Sequence, residues 1–254
     1  MDLDRPSGAR RYIKPLATAA MCLALMAALT VGASAGSLGN IVETLFGEDT
    51  QTVDIIILLT VLTLLPSIVI MLTGFSRIVI VLSFLRSALG MQQTPPNQVI
   101  IGLALFLTFF VMSPVITDVY ENAYVPYSDG LIEQDEFFGR AMVPTREFMI
   151  RQTYKTDLSF FVGLSGEEVA DESDIPNAVL IPAFLTSEIK HAFEIGFFIY
   201  IPFIVIDMVV ASTLMAMGMM MLPPAMISLP FKVLLFVMVD GWQLVMGSVV
   251  QSFW

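Results

Sequence analysis

The sequence predicts an all-α, membrane-associated chain built from helical hairpins. Three observations carry that prediction. The 254 residues are 56% hydrophobic and only 14% charged, with a mean hydropathy of +0.81, whereas soluble domains hold roughly 25% charged residues. Several nearly uncharged runs reach the ~20 residues that a membrane-crossing helix needs. Between them lies one acidic stretch, Asp118 to His191, with 14 acidic and five basic side chains.

The elements follow in chain order. Arg5, Arg10, Arg11 and Lys14 precede the apolar segment Leu16 to Val31, and Ala33-Ser34-Ala35 comes next. A basic start, a short apolar middle and small residues before a cut make a secretory signal peptide. Residues 1–35 are therefore expected to be removed after Ala35. Cys22, the only cysteine, goes with them, which leaves no disulfide or thiolate chemistry. The mature chain then carries eight basic and 21 acidic residues, a net charge of −13, and shows no basic patch for nucleic acid.

Residues 36–52 form a short mixed segment, and residues 53–254 are expected to form a single domain. Ile55 to Ser76 gives 22 residues without a charge, enough for one span, with Pro66 expected to kink it. Arg77 and Arg86 follow as short connections. Pro95-Pro96 then breaks the run, Asn97 is placed to cap a helix, and Asn97 to Thr117 is the second span. Residues 118–191 read as a water-facing helical insertion. Ile195 to Leu222 is 28 residues with one charge, Asp207. Its length of about 42 Å exceeds a hydrocarbon core of about 30 Å, so it must tilt, kink at Pro202 or extend beyond the bilayer. Pro223 to Pro230 reads as a turn, and Lys232 to Trp254 as a last apolar helix that pairs with its predecessor. Placing Arg77, Arg86 and Lys232 in short connections puts those on the cytoplasmic side, with the acidic insertion opposite.

Residues 215–224 read MAMGMMMLPP, in which two prolines are expected to stop the helix. Methionine is flexible and polarizable, so its usual role is to fill irregular gaps. A ring of such side chains would also close a pore and still yield to a passing object. Charges at membrane depth cost at least ~2.5 kcal/mol on insertion scales and need partners. Asp207 lies in mid-run, Glu188 opens the third apolar region, and Lys232 and Asp240 stand at i, i+8 of one expected helix. Such charges suit pairing across subunit interfaces, with snorkelling as the simpler account of Lys232.

Catalytic signatures are missing from the sequence. His191 is the only histidine, and metal sites need clustered ligands. There is no HExxH, GxGxxG or P-loop, and Gly163-Leu164-Ser165-Gly166 lacks the final glycine of a nucleophile elbow. The chain is expected to be no enzyme and to hold no cofactor or metal.

Five segments together resemble the type III secretion export-gate family, in its flagellar branch. They are TGFSRIVIVLSFLRSALG (73–90), TPPNQVIIGLALFLTFFVMSPV (94–115), LIPAFLTSEIKHAFEIGF (180–197), PFIVIDMVVASTLMAMGMMMLPP (202–224) and LPFKVLLFVMVDGWQL (229–244). The resemblance covers residues 53–253 and implies a homopentamer with FliR-like and FliQ-like subunits, beside FlhB-like and FlhA-like export components. It implies a closed helical channel that passes unfolded proteins across the bacterial inner membrane, at the flagellar basal body, with much of the assembly on the periplasmic side. It also implies a methionine gasket at Met219, Met220 and Met221, preceded by Met215 and Met217. Pore-facing aromatics carry over onto Phe148, Phe161 (or Phe160) and Phe197. Glu188 and Lys232 match intersubunit charge contacts; Asp207, Asp240 and Arg86 join them on membrane cost alone. The rival expectation is an ion or small-solute transporter using Asp207 or Glu188 as a relay group.

Overall fold

The computed structural model describes residues 52–91, 93–166, 174–219 and 221–254. The expected signal segment, Cys22 and Met220 lie outside them. Among the described residues every regular element is helical. Two compact units divide the chain at Ile68/Val69. The described part of the first unit belongs to α1 (Thr52–Met71), an apolar helix that carries one charge, Asp54. Pro66 sits inside α1 without ending it. The helix stops at Met71, five residues before the expected end of the span.

The second unit contains α2 (Phe75–Ala88), α3 (Asn97–Val119), α4 (Val125–Ser128), α5 (Gln134–Gln152) and α6 (Lys155–Ser165). The long α7 (Asn177–Ala216) follows, then α8 (Pro224–Met238) and α9 (Gly241–Gln251). A π-helical turn over Tyr120–Tyr124 joins α3 to α4. Pro96, and not Asn97, stands at the N-cap of α3. The Asn97 carboxamide oxygen accepts a hydrogen bond from Arg86 Nη1 instead, so it fastens the α2–α3 connection.

Two helices organise the core. α2 buries Phe75, Ile78, Val81, Leu82, Leu85 and Ala88, an i, i+3, i+4, i+7 stripe that gives a helix one apolar face. α7 buries Val179, Leu180, Ala183, Phe184, Ala192, Gly196 and Phe203 against it. The axes come close at Gly196, where a Cβ would lie 2.7 Å from the Phe84 ring; only a residue without a side chain fits that crossing. α3 and α5 close the sides, and Phe148 of α5 packs edge-on against Phe184 of α7.

At 1.5 Å per residue the 40 residues of α7 extend for about 60 Å, twice a hydrocarbon core of about 30 Å. The helix begins 18 residues before the expected apolar run and continues through Pro182 and Pro202. Beyond Gly196 it exposes Phe197, Phe198, Ile201, Ile204, Val205, Met208 and Val209. α7 and the helical stretch Asn97–Ser128 are each long and apolar enough to cross a membrane.

Two expectations near the C-terminal end need correction. The stretch 223–230 is no turn: α8 starts at Pro224, where proline is tolerated because a first-turn N–H has no helical partner to lose, and the helix continues through Pro230 in its interior. Residues 232–254 are no single helix. α8 and α9 meet at 67°, with Asp240 between them in the left-handed region at φ 50°. Lys232 and Asp240 therefore do not share a helix face. The expected hairpin is present, since α8 packs along α7.

Candidate functional site

Four groups of side chains coincide with the residues singled out by the sequence. The first is a buried ion pair. Arg77 and Glu188 are both 0% exposed. Arg77 donates from Nε to Glu188 Oε2 at 3.2 Å and from Nη2 to Glu188 Oε1. Nη2 also reaches Gln152 Oε1 at 3.0 Å. Nη1 reaches the Ser252 carbonyl at 2.9 Å and its hydroxyl at 3.0 Å. The guanidinium lies 3.9 Å above the Phe253 ring, and Gln152 Nε2 donates to the Phe253 carbonyl at 2.9 Å. A charge this deep is tolerable when its partner and its remaining donors are all satisfied, as here. Arg77 therefore lies in the core and not in a surface connection, and the same holds for Lys232, which is 5% exposed. Neither residue supports the orientation inferred from the positive-inside rule.

The second group holds the α7–α8 hairpin. Lys232 Nζ donates to Asp207 Oδ2 at 2.6 Å and to the Ala88 carbonyl of α2 at 3.1 Å. The Ser228 hydroxyl donates to Asp207 Oδ1 at 2.6 Å. Within one chain, then, Glu188, Lys232, Asp207 and Arg86 each have internal partners. The Asp240 side chain is exposed and forms no cap bond at the start of α9.

The third group joins α6 to α7. Asp157 is 5% exposed and accepts from Ser187 Oγ at 2.8 Å and from Lys190 Nζ. Burial alone pushes its carboxyl up, but the bonds from Lys190 and Ser187 and the Lys190 charge outweigh it and hold the group below the usual aspartate range. Nearby, the Tyr154 hydroxyl donates to Glu194 Oε2 at 2.9 Å and lies 3.0 Å from His191 Nδ1. Burial and the Glu194 hydrogen bond push the Tyr154 phenol up to about 12. His191, half-buried, stacks on Tyr154 with centroids 4.3 Å apart.

A prediction follows for acid. Asp157 titrates lower in the folded chain than when unfolded, so its contribution is present above the ordinary aspartate value, near 4, and fades as pH falls through the folded value. Asp157→Asn should be less stable than the wild type at pH 7. That gap in melting temperature should narrow steadily below about pH 4. A gap of constant width from pH 7 to pH 3 would refute the assignment.

The fourth group is the methionine loop after α7. The helix ends at Ala216, before the prolines, through a Schellman turn. Gly218 N–H donates to the Met215 carbonyl at 3.0 Å and Met219 N–H to the Leu214 carbonyl at 2.9 Å, with Gly218 at φ 75°. Glycine is the residue that reaches this region without steric cost. The expectation that Pro223 and Pro224 stop the helix is thus corrected. Met215, Met217, Met219 and Met221 are all exposed, Met221 at 98%.

The aromatic expectations divide. Phe197 is 62% exposed and points away from its own chain's core. Phe161 is half-buried against the core, and its neighbour Phe160 is exposed. Phe148 is 2% exposed, between Phe184 and Phe253. A side chain enclosed by its own chain lines no pore, and the pore-facing expectation for Phe148 is withdrawn.

Sequence reasoning missed Arg77 as the partner of Glu188. The signal was present, because Arg77 precedes Ile78, Val81, Leu82 and Leu85 on one helical stripe. Among the described residues no three His, Cys, Asp or Glu side chains are grouped to hold a metal.

Comparison with known proteins settles the lineage. The model of the FliP family matches residues 58–249. The chain belongs to the FliP family. A flagellar biosynthetic protein FliP from Pectobacterium carotovorum subsp. carotovorum is 57% identical over 206 residues, covering 81% of this chain and 80% of the relative. The FliP of Bacillus subtilis (strain 168) is 53% identical, covering 80% and 92%. That of Caulobacter vibrioides is 50% identical over 236 residues, covering 92% and 88%. All five segments that carried the resemblance fall within the family match.

Proposed function

We propose that this chain is a subunit of the flagellar export gate and lies in the bacterial inner membrane. Copies of it form a closed pore that passes unfolded flagellar proteins across that membrane. FliP family membership across residues 58–249 carries the function, and the exposed methionine loop supplies the means of closure. Five methionines lie between Met215 and Met221. Soft, unbranched side chains from neighbouring copies would pack against one another at the axis, exclude ions, and re-pack around a threading polypeptide. The sequence carries no P-loop, and the driving energy is assigned to other components of the apparatus.

The proposed assembly is a homopentamer joined by FliQ-like and FliR-like subunits, with FlhB-like and FlhA-like components beside it. The exposed face of α7 beyond Gly196 suits packing between subunits or against lipid. Phe197 is the best-placed of the aromatic residues to face a neighbour or the pore, and Asp240 is the charge most available for a contact between copies. The acidic insertion is assigned to the periplasmic side. A transporter reading gains nothing from the relatives, all named flagellar biosynthetic proteins. Its relay candidates, Asp207 and Glu188, are already held by Lys232 and Arg77.

The test is to replace Met219, Met220 and Met221 by alanine and measure ion permeability in cells while sizing the purified oligomer by native mass spectrometry. A raised leak with unchanged oligomer size is expected. Wild-type permeability in a fully assembled variant would remove the gasket.

A further inference from the structure

The methionine loop is held out of α7 by one residue. Alanine, methionine and leucine are all good helix formers, and Met215 to Leu222 contains nothing else except Gly218. The first proline, Pro223, comes five residues after Gly218, too late to explain an end at Ala216. What ends the helix is the left-handed turn at Gly218, sealed by the bonds to Leu214 and Met215. A Cβ on Gly218 would meet nothing within 4 Å, so glycine is required there for its backbone angle and not for space.

We infer that Gly218 is the positioning residue of the methionine loop, and that the alternative state of this loop is a continuation of α7. The hairpin clamp limits that growth. Asp207 is tied to Ser228 and Lys232, which fixes where α8 begins, so α7 has room for about one more turn before the remaining link to Pro224 becomes too short. One turn draws Met219 out of the loop and into the helix. Loop and helix are thus two discrete placements of the same methionines, separated by the preference of a single residue. The consequence for closure rests on the gasket reading above; the geometry does not.

An L-residue other than asparagine or aspartate is strained in the left-handed region, whereas achiral glycine is not, and alanine is also the better helix former. Together these effects should shift the loop–helix equilibrium of Gly218→Ala by roughly thirty-fold or more toward helix. Asparagine tolerates the left-handed turn and is the second choice at this cap, so Gly218→Asn should keep the loop. The experiment is cryo-electron microscopy of the full oligomer carrying each variant, with ion permeability measured in the same cells.

The expected result is that α7 extends about one turn past Ala216 in Gly218→Ala and ends at Ala216 in Gly218→Asn. If the alanine variant does not assemble and the asparagine variant does, the requirement for a left-handed residue also stands. An α7 that still ends at Ala216 in Gly218→Ala overturns the inference, and so does equal failure of both variants to assemble. Growth of α7 without an ion leak would leave Gly218 in its role and count against the methionine closure.

Discussion

Glu188→Ala should cost the folded chain about 3–5 kcal/mol, because it leaves a buried guanidinium without its counter-ion. Arg77 is enclosed completely and has no route to water. Its bonds to Gln152 and Ser252 satisfy donors but supply no negative charge. The variant is expected to fail to accumulate in membranes, or to melt roughly 10 °C lower in detergent. Replacing both members, Arg77→Met with Glu188→Met, should recover most of the loss, since a well-packed apolar pair often matches a buried ion pair. A double variant as unstable as the single one would show that Arg77 acts through its other contacts. Accumulation of Glu188→Ala at wild-type level would show that the pair has no structural weight.

Phe148→Ala is the second large effect. The ring is enclosed by Phe184 and Phe253, and removing a buried phenylalanine opens a cavity that costs about 3–5 kcal/mol. The variant should melt roughly 10 °C lower with no change in ion permeability of whatever oligomer still forms. Phe197→Ala should behave in the opposite way. Its ring is mostly exposed within one chain, so the single chain loses little stability, and any effect appears in assembly or conductance. If Phe148→Ala melts like the wild type while altering conductance, the ring leaves the core in the assembled state.

The fold was legible where one physical rule acts alone. Uncharged runs of membrane length became α3 and the greater part of α7; residues 118–165 of the acidic insertion became shorter helices, but residues 177–191 joined α7, and Asp157 and Glu188 are buried. The missed details were set by contacts between elements. Nothing near Glu188 in the sequence names Arg77, which lies 111 residues away. The alignment of Phe148 with a family position transferred a role without the burial that decides it. Two local signals were present but outweighed. Asp240-Gly241 is a turn dipeptide inside an apolar run that was read as continuous. Gly218 is a helix terminator inside a methionine cluster whose end was credited to the prolines.

The reach of Arg77 has a consequence for the order in which this chain can become whole. Its acceptor at Ser252 is made 175 residues after it. At 5–20 residues per second the ribosome needs roughly 10–35 s to cover that interval. Throughout it α2 holds a cation whose final cradle does not yet exist. The full set of partners around the guanidinium is present only once residues 252 and 253 have been made. A chain cut shortly before them keeps the Arg77–Glu188 pair but lacks the Ser252 acceptors and the Phe253 ring that complete the enclosure of the guanidinium.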